Sequence, residues 1–405
     1  MRQKALVILA MTLVLATGAW ASSETILYNF NSFSGDGYYP YTGLVADAKG
    51  NLYGTTQSGG AGYGTVFELK LSGGTYTEIQ LHIFTAGVSD GAYPEYSSLV
   101  FDKAGNLYGT TVNGGTLNVG TIFELKLSGG KWNESIIHSF GGYPKDGAYP
   151  EAGLSFDAAG NMYGTTYSGG ASNVGTVFQL TQLKGKWTYK KIHGFASGNG
   201  GYNPVGGITP GANGYFYGTT LYGGVTYNAG AVYRLFESRG VWVAQSVFVF
   251  PGSAGGTYPD STLTMDAAGN FYGTTYQGGT YNFGTVYKLK PGKNNKYTQS
   301  VLYSFKGGNT DGETPWYSSG PAVDAKGNLY GTTRYEGSQY NEGTVWELKN
   351  TNGKYKEIVL HAFEDTSSND GYDPLASVIL FKNKLYGTTY AGGTHGAGTV
   401  FEVTP

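Results

Sequence analysis

Glu95, Glu151 and Asp260 each follow directly on a proline at one point of a repeated unit; in the other copies that point holds Tyr41, Val205, Trp316 and Leu375. Carboxylates gathered at a concave opening would hold a cation or act as an acid–base pair on a polysaccharide, by hydrolysis or elimination. Solvated loop carboxylates would leave the same signature. Tyr41 and Trp316 offer ring faces for stacking on a sugar or docking a protein.

A second set of aromatics crowds one loop of the units: Tyr63, Tyr167, Tyr222, Tyr227, Tyr276, Tyr281, Tyr335, Tyr340 and Tyr390. Loops need no aromatic ring to fold, so these are read as a contact surface. Asn118, Asn173, Asn228, Asn282 and Asn341 precede x-Gly and read as turn formers. The sixth unit departs most, with Trp316, Arg334, Glu342 and a Glu336 that replaces a glycine; it borders Asp373 and His395 of the seventh. The candidate ligand-binding residues are therefore Tyr41, Trp316, Arg334, Tyr335, Glu336, Tyr340, Tyr390 and His395. The leading reading is a non-catalytic module binding a glycan or an extracellular protein. An enzymatic reading, hydrolase or lyase, rests on Glu95, Glu151 and Asp260, and a structural envelope component is a third. No cofactor is expected.

His82, His138, His193 and His361 each stand two residues before a phenylalanine, where other units have Tyr28, Phe248 and Tyr303. Interchange with aromatics marks them as packing residues, and no metal is expected. The links Asp36-Gly, Asp90-Gly, Asp146-Gly, Asp311-Gly and Asp370-Gly lead to Pro40, Pro94, Pro150, Pro315 and Pro374. One aspartate per unit is too few oxygens for calcium. The pattern reads as an Asx turn and a proline opening a strand. Ser-His-Asp order, HExxH and a phosphate-binding glycine loop are absent from the sequence.

The element that must position these residues is Tyr-Gly-Thr-Thr, which recurs seven times, with its tyrosine at 53, 108, 163, 217, 272, 330 and 386. Each period of 54–58 residues carries four strand-like runs, a to d. In the second unit these are 96–102, 106–111, 121–126 and 134–140, each about six residues long. Turns such as Asp102-Lys-Ala-Gly-Asn106 join a to b, and Ser128-Gly-Gly130 joins c to d. The glycine inside every run b marks close approach of a backbone or ring, as where neighbouring sheets pack face to face. Ahead of the first run a lies an orphan run d, residues 24–30, and after the last complete unit come a, b and c alone. A linear solenoid has no reason to split one unit between its ends, whereas a ring does, because the shared sheet removes open edges. A β-helix would have far shorter coils. The expectation is an all-β, seven-bladed β-propeller whose last blade is closed by the N-terminal strand, with run a innermost.

Charged residues are only 13% of the 405, while glycine (68) and tyrosine (36) are abundant, as many short strands and tight turns require. With no cysteine, disulfides and a lipid-modified cysteine are excluded. A net charge of −2 without basic clusters argues against nucleic acid. Arg2 and Lys4, the apolar run 5–16 and Ala19-Trp20-Ala21 form a secretory signal over residues 1–21, leaving 22–405 as one domain. The mature chain is expected to be secreted, extracellular or periplasmic, monomeric and without a membrane span. The unit Asp-x-x-Gly-Asn-Leu-Tyr-Gly-Thr-Thr, followed by Gly-Gly and Gly-Thr-Val-Phe-Glu-Leu, resembles the GloVer (Gloeo_Verruco) tandem-repeat family across residues 24–405. The resemblance implies an exported bacterial repeat protein, often with a C-terminal anchor, and brings no catalytic residues with it.

Overall fold

Each residue of Tyr-Gly-Thr-Thr has its own task in the sheet. The computed structural model describes residues 24–405 apart from 34, 97, 199, 225–227, 317–319 and 365–368. The signal segment 1–21, Ser97, Tyr227 and Ser318 therefore lie outside the described residues. In the second unit the strands Val100–Phe101, Leu107–Thr111, Thr121–Ser128 and Lys131–Ser139 pair antiparallel in that order. The Tyr108 hydroxyl reaches Asp102 Oδ2 (3.1 Å) and Glu124 Oε1 (2.6 Å), tying the a–b turn to strand c. Gly109 lies under the Phe123 ring, and a Cβ there would sit 2.5 Å from it. The ring belongs to the paired strand of the same sheet, not to a neighbouring sheet as expected. The second threonine hydroxyl pairs with that of strand c, Thr111 with Thr121 at 2.7 Å. The first threonine reaches the next blade: Thr332 Oγ1 donates to Ala376 O (2.9 Å) and Thr388 Oγ1 to Thr42 O (3.1 Å).

Those threonines explain a second difference from expectation. Strand a is two residues long in blades 1 to 6, and three in blade 7, rather than about six. Carbonyls ahead of strand a, such as Pro94 O, accept side-chain hydroxyls (Thr55 Oγ1, 2.7 Å) instead of a ladder N–H. The chain can thus line the axis without a full strand. Strand d carries one extra residue in all seven sheets. In blade 1, Val66 faces His82 and Phe67 faces Gln80, so Leu81 is the bulge. Bulges of this kind re-aim the side chain that follows.

The ring closes as anticipated. Ile379–Phe381, Lys384–Thr389 and Thr399–Val403 are completed by Glu24–Asn29, with Ile26 opposite Phe401 and Tyr28 opposite Val400. The fold is a seven-bladed β-propeller. Its core is divided among seven clusters, each filled from two adjacent blades, as when Phe30, Leu44, Leu52, Phe67 and Val400 pack between blades 7 and 1.

Between blades, the glycine that opens strand c abuts the next blade's proline. At Gly120 (φ 106°) a Cβ would lie 2.5 Å from Pro150 Cδ and 2.6 Å from Thr111 O. Gly120→Ala is therefore expected to lower stability by about 1–3 kcal/mol in urea unfolding. Gly194→Ala, where a Cβ meets open space, is expected to leave the midpoint unchanged.

Candidate ligand-binding site

The link before strand a pairs with the start of the b–c loop of the same blade, as Gly37–Tyr38 does with Ser58–Gly59 and Gly312–Glu313 with Tyr335–Glu336. Both sets of candidate residues consequently sit on one face. The residue ahead of each of the seven prolines (Tyr39, Tyr93, Tyr149, Asn203, Tyr258, Thr314, Asp373) has φ between 51° and 60°. The cause is a pair of backbone hydrogen bonds: Tyr258 N donates to Ala229 O of the preceding blade and Tyr258 O accepts from Tyr276 N. A left-handed residue before proline is sterically disfavoured and persists only where neighbours fix it. That turn throws four tyrosines and Asp373 onto the mouth face.

The axis itself is a narrow cavity of about 180 Å³, lined in part by Gly43, Ser98, Gly153, Gly207 and Thr262 and bounded by Tyr41 and Tyr96. The Tyr41 and Tyr96 rings meet edge to face at 4.6 Å. Trp316 Nε1 donates to the Tyr41 hydroxyl at 3.1 Å, reaching from blade 6 to blade 1 across the mouth. Arg334 lies over both Trp316 (4.8 Å) and Tyr335 (4.6 Å), and its Nε is 3.5 Å from Asp373 Oδ1. Tyr390 stacks on Tyr39 at 4.7 Å, and its hydroxyl donates to Gln57 Oε1 at 3.2 Å. The Gln57 amide in turn donates to Glu95. Tyr41, Trp316, Arg334, Tyr335 and Tyr390 are thus brought together.

Beside this roof lies an aromatic pocket of about 400 Å³ walled by Tyr222, Tyr258, Tyr276 and Trp316, with Leu221, Asp260 and Gln277. Trp316 belongs to both places; its ring meets Tyr276 edge to face at 4.9 Å. Tyr258 meets Tyr222 at 5.6 Å.

Burial pushes the Glu151 carboxyl up to about 7, with Glu95 adding to the shift. Glu95 is itself raised by burial, partly offset by the Gln57 amide. Asp373 is raised by burial and held back by Arg334. Glu95 thus acts on Glu151, while Asp260 lines the separate aromatic pocket.

Three candidates stand apart from this centre. Glu336 keeps a positive φ (62°) where other blades have glycine, and its N–H donates to Asn341 Oδ1 at 2.8 Å. Tyr340 is exposed, and His395 is exposed in the 393–396 turn. Sequence reading missed Tyr39, Gln57, Tyr96 and Tyr258. The seven prolines were a usable signal for Tyr39 and Tyr258, since the residue before each one shares the mouth with the residue after it.

The profile of the Gloeobacter/Verrucomicrobia repeat matches residues 13–154, 81–267 and 244–405, overlapping stretches that span nearly the whole chain. The chain belongs to this family. Members of the Gloeobacter/Verrucomicrobia repeat family are recognised by the blade-forming unit, so membership speaks to the propeller and not to the mouth. No curated protein matches the sequence. Among solved structures, the chain is similar to PorZ, a surface component of the type-IX secretion system of Porphyromonas gingivalis (14% identity, TM-score 0.49). The match covers 90% of this chain and 46% of PorZ, so the chain spans about half of PorZ's length. A protein of Dyadobacter fermentans of unknown function is similar at 11% identity (TM-score 0.44, 94% and 98% covered). A Thermus thermophilus protein described as a glucose-dehydrogenase-type oxidoreductase is similar at 13% (TM-score 0.43, 83% and 98% covered). These are likenesses of fold alone. Among the described residues no helix is long and apolar enough to cross a membrane.

Proposed function

We propose that this protein is an exported, non-catalytic propeller that binds a glycan at the channel mouth. The observation that carries the reading is the aromatic pocket of Tyr222, Tyr258, Tyr276 and Trp316, with Asp260 and Gln277 as polar groups in its wall. Rings at several angles with a few directed polar groups suit the apolar faces and hydroxyls of a sugar. Glu95, Glu151 and Asp260 on the same face disfavour polyanionic glycans, so a neutral or amino-sugar polysaccharide is the class expected. The export reading draws its support from the signal pattern of residues 1–21.

Retention of the protein on a panel of insoluble polysaccharides, followed by titration with soluble fragments, tests this. Each lost ring contact removes about 0.5–1.5 kcal/mol. Trp316→Ala and Tyr258→Ala together are therefore expected to weaken binding roughly tenfold or more. Tyr340→Ala, away from the pocket, is expected to leave binding unchanged. Undiminished binding by the double variant, or no retention on any polysaccharide, would remove the proposal. The hydrolytic reading has one observation in its favour, that burial and the nearby Glu95 push Glu151 up into the range of a general acid. Release of reducing sugar by the parent, abolished in Glu151→Gln, would replace binding by catalysis.

A further inference from the structure

Away from the mouth, a second chemistry recurs at the outer seams between blades. Five of the seven seams bring together the histidine or tyrosine near the end of strand d, the aspartate of the following link, and a residue from strand d of the next blade. That third residue stands four places before the next histidine position: Glu24, Glu78, Glu134, Tyr189, Ala244, Gln299 or Glu357. The two seams without the aspartate, after His193 and Phe248, are the ones with Ala244 and Gln299. Glutamate is placed only where it meets an aspartate, which is the opposite of what charge repulsion alone would select.

Two of the seams present three donors of metal-ligand type. His82, Asp90 and Glu134 offer ligand atoms all within 4.8 Å of one another, and so do Glu24, His361 and Asp370. His82 Nε2 lies 3.3 Å from Asp90 Oδ1 and His361 Nε2 lies 3.0 Å from Asp370 Oδ2. Two ligands about 2.0–2.1 Å from a tetrahedral zinc would be roughly 3.3 Å apart. The bulge at Leu81 sets His82 at this edge while its ring still packs on Phe84 at 4.7 Å. The packing role read from the sequence therefore holds for the ring, while Nε2 points at Asp90 in a contact that a shared cation would replace.

The glutamate of every such seam, Glu24, Glu78, Glu134 and Glu357, has a buried Oε1 without a hydrogen-bond partner, and at two of the four an imidazole stands beside it. The charged groups that act on Glu134 are His82 and Asp90, and those that act on Glu24 are Asp370 and His361. An oxygen shut from water, beside a second carboxylate and an imidazole, lacks the partner that buried polar atoms ordinarily have. A cation between the three supplies it.

We propose that His82–Asp90–Glu134 and Glu24–His361–Asp370 are two sites for a divalent transition-metal ion of the zinc class, each stapling one blade to the next. One imidazole nitrogen and two carboxylate oxygens match zinc and leave a fourth position for water; calcium and magnesium would call for oxygen ligands throughout. The second site fastens the N-terminal strand to blade 6, so it also locks the ring closure.

The test is zinc titration of the purified, EDTA-stripped protein by calorimetry at pH 7.5, with thermal unfolding in parallel. Two equivalents per chain and a zinc-dependent rise in Tm are expected. Glu134→Gln and Glu24→Gln are each expected to remove one equivalent, and the double variant to lose the Tm response. Glu357→Gln, at a seam where Tyr303 replaces histidine, keeps both equivalents and serves as the control. No uptake at micromolar zinc, an unchanged stoichiometry in the double variant, or calcium binding more tightly than zinc would overturn the proposal.

Discussion

Deleting Glu24–Asn29 is expected to abolish the cooperative unfolding transition of the whole ring. The strand supplies the outer edge of blade 7, pairing with Thr399–Val403 over five residue pairs. Without it, an apolar strand with unpaired N–H and C=O groups becomes a template for intermolecular pairing. The adjoining Phe30, 1% exposed, is part of the cluster between blades 7 and 1. Phe30→Ala alone is expected to cost about 3–5 kcal/mol. Aggregation of the deletion variant on size exclusion and loss of its melting transition are the readouts. A permuted chain distinguishes closure from sequence content. In the other blades a tight turn such as Ser72-Gly73-Gly74-Thr75 joins strand c to strand d. Moving residues 24–30 behind Val403 through the same Gly-Gly turn is expected to restore the parent Tm to within a few degrees. A deletion variant that melts like the parent would mean that the seventh sheet does not need the strand.

The architecture was readable because Tyr-Gly-Thr-Thr does its work through contacts that recur in every copy. Gly109 must lie flat under Phe123, Thr111 must meet Thr121, and Tyr108 must reach Asp102, whatever the blade faces outside. Such demands leave periodic marks. The orphan strand at residues 24–30 was readable for the same reason, as one quarter of a unit in the wrong place. The shortening of strand a was not, since Thr55 and its equivalents satisfy the inner carbonyls with side chains that looked like ordinary strand residues.

The mouth was legible only where a copy broke the pattern. Trp316 and Arg334 stood out against their equivalents, and the structure places them at the centre. Their partner Tyr41 is 275 residues away and meets Trp316 through the curvature of the whole ring. No local spacing encodes that contact. Tyr258 was passed over because its placement depends on a left-handed backbone imposed by two hydrogen bonds, one to the preceding blade and one within its own. The seam triads were hidden for a similar reason. Glu134 reaches His82 from the next blade, and the bulge at Leu81 breaks the alternation by which the histidine would have been assigned a face.

Stability is expected to fall as pH rises from 5 to 8, and two seams without histidine are expected to account for much of it. Burial, reinforced by Asp36, raises Glu78 from 4.5 to about 7; burial and Asp311 do the same for Glu357. Oε1 of each is buried without a hydrogen-bond partner. Below pH 4.5 both folded and unfolded chains hold these protons and the groups contribute nothing. Between 4.5 and 7 the unfolded chain releases them while the folded chain keeps them, so each unit of pH costs stability. Above 7 the loss is complete, on the order of 2 kcal/mol per site once partial solvent screening is allowed for. In the Glu78→Gln, Glu357→Gln variant a neutral amide of the same size takes the place of the acid beside Asp36 and Asp311 and cannot ionise. Urea midpoints measured in EDTA at pH 5 and pH 8 are expected to differ far less in this variant than in the parent, with the gain appearing at pH 8. EDTA keeps any metal at the histidine seams out of the comparison. A pH dependence that persists unchanged in the variant would assign the titration to other groups, with Glu151 at the mouth the next to replace.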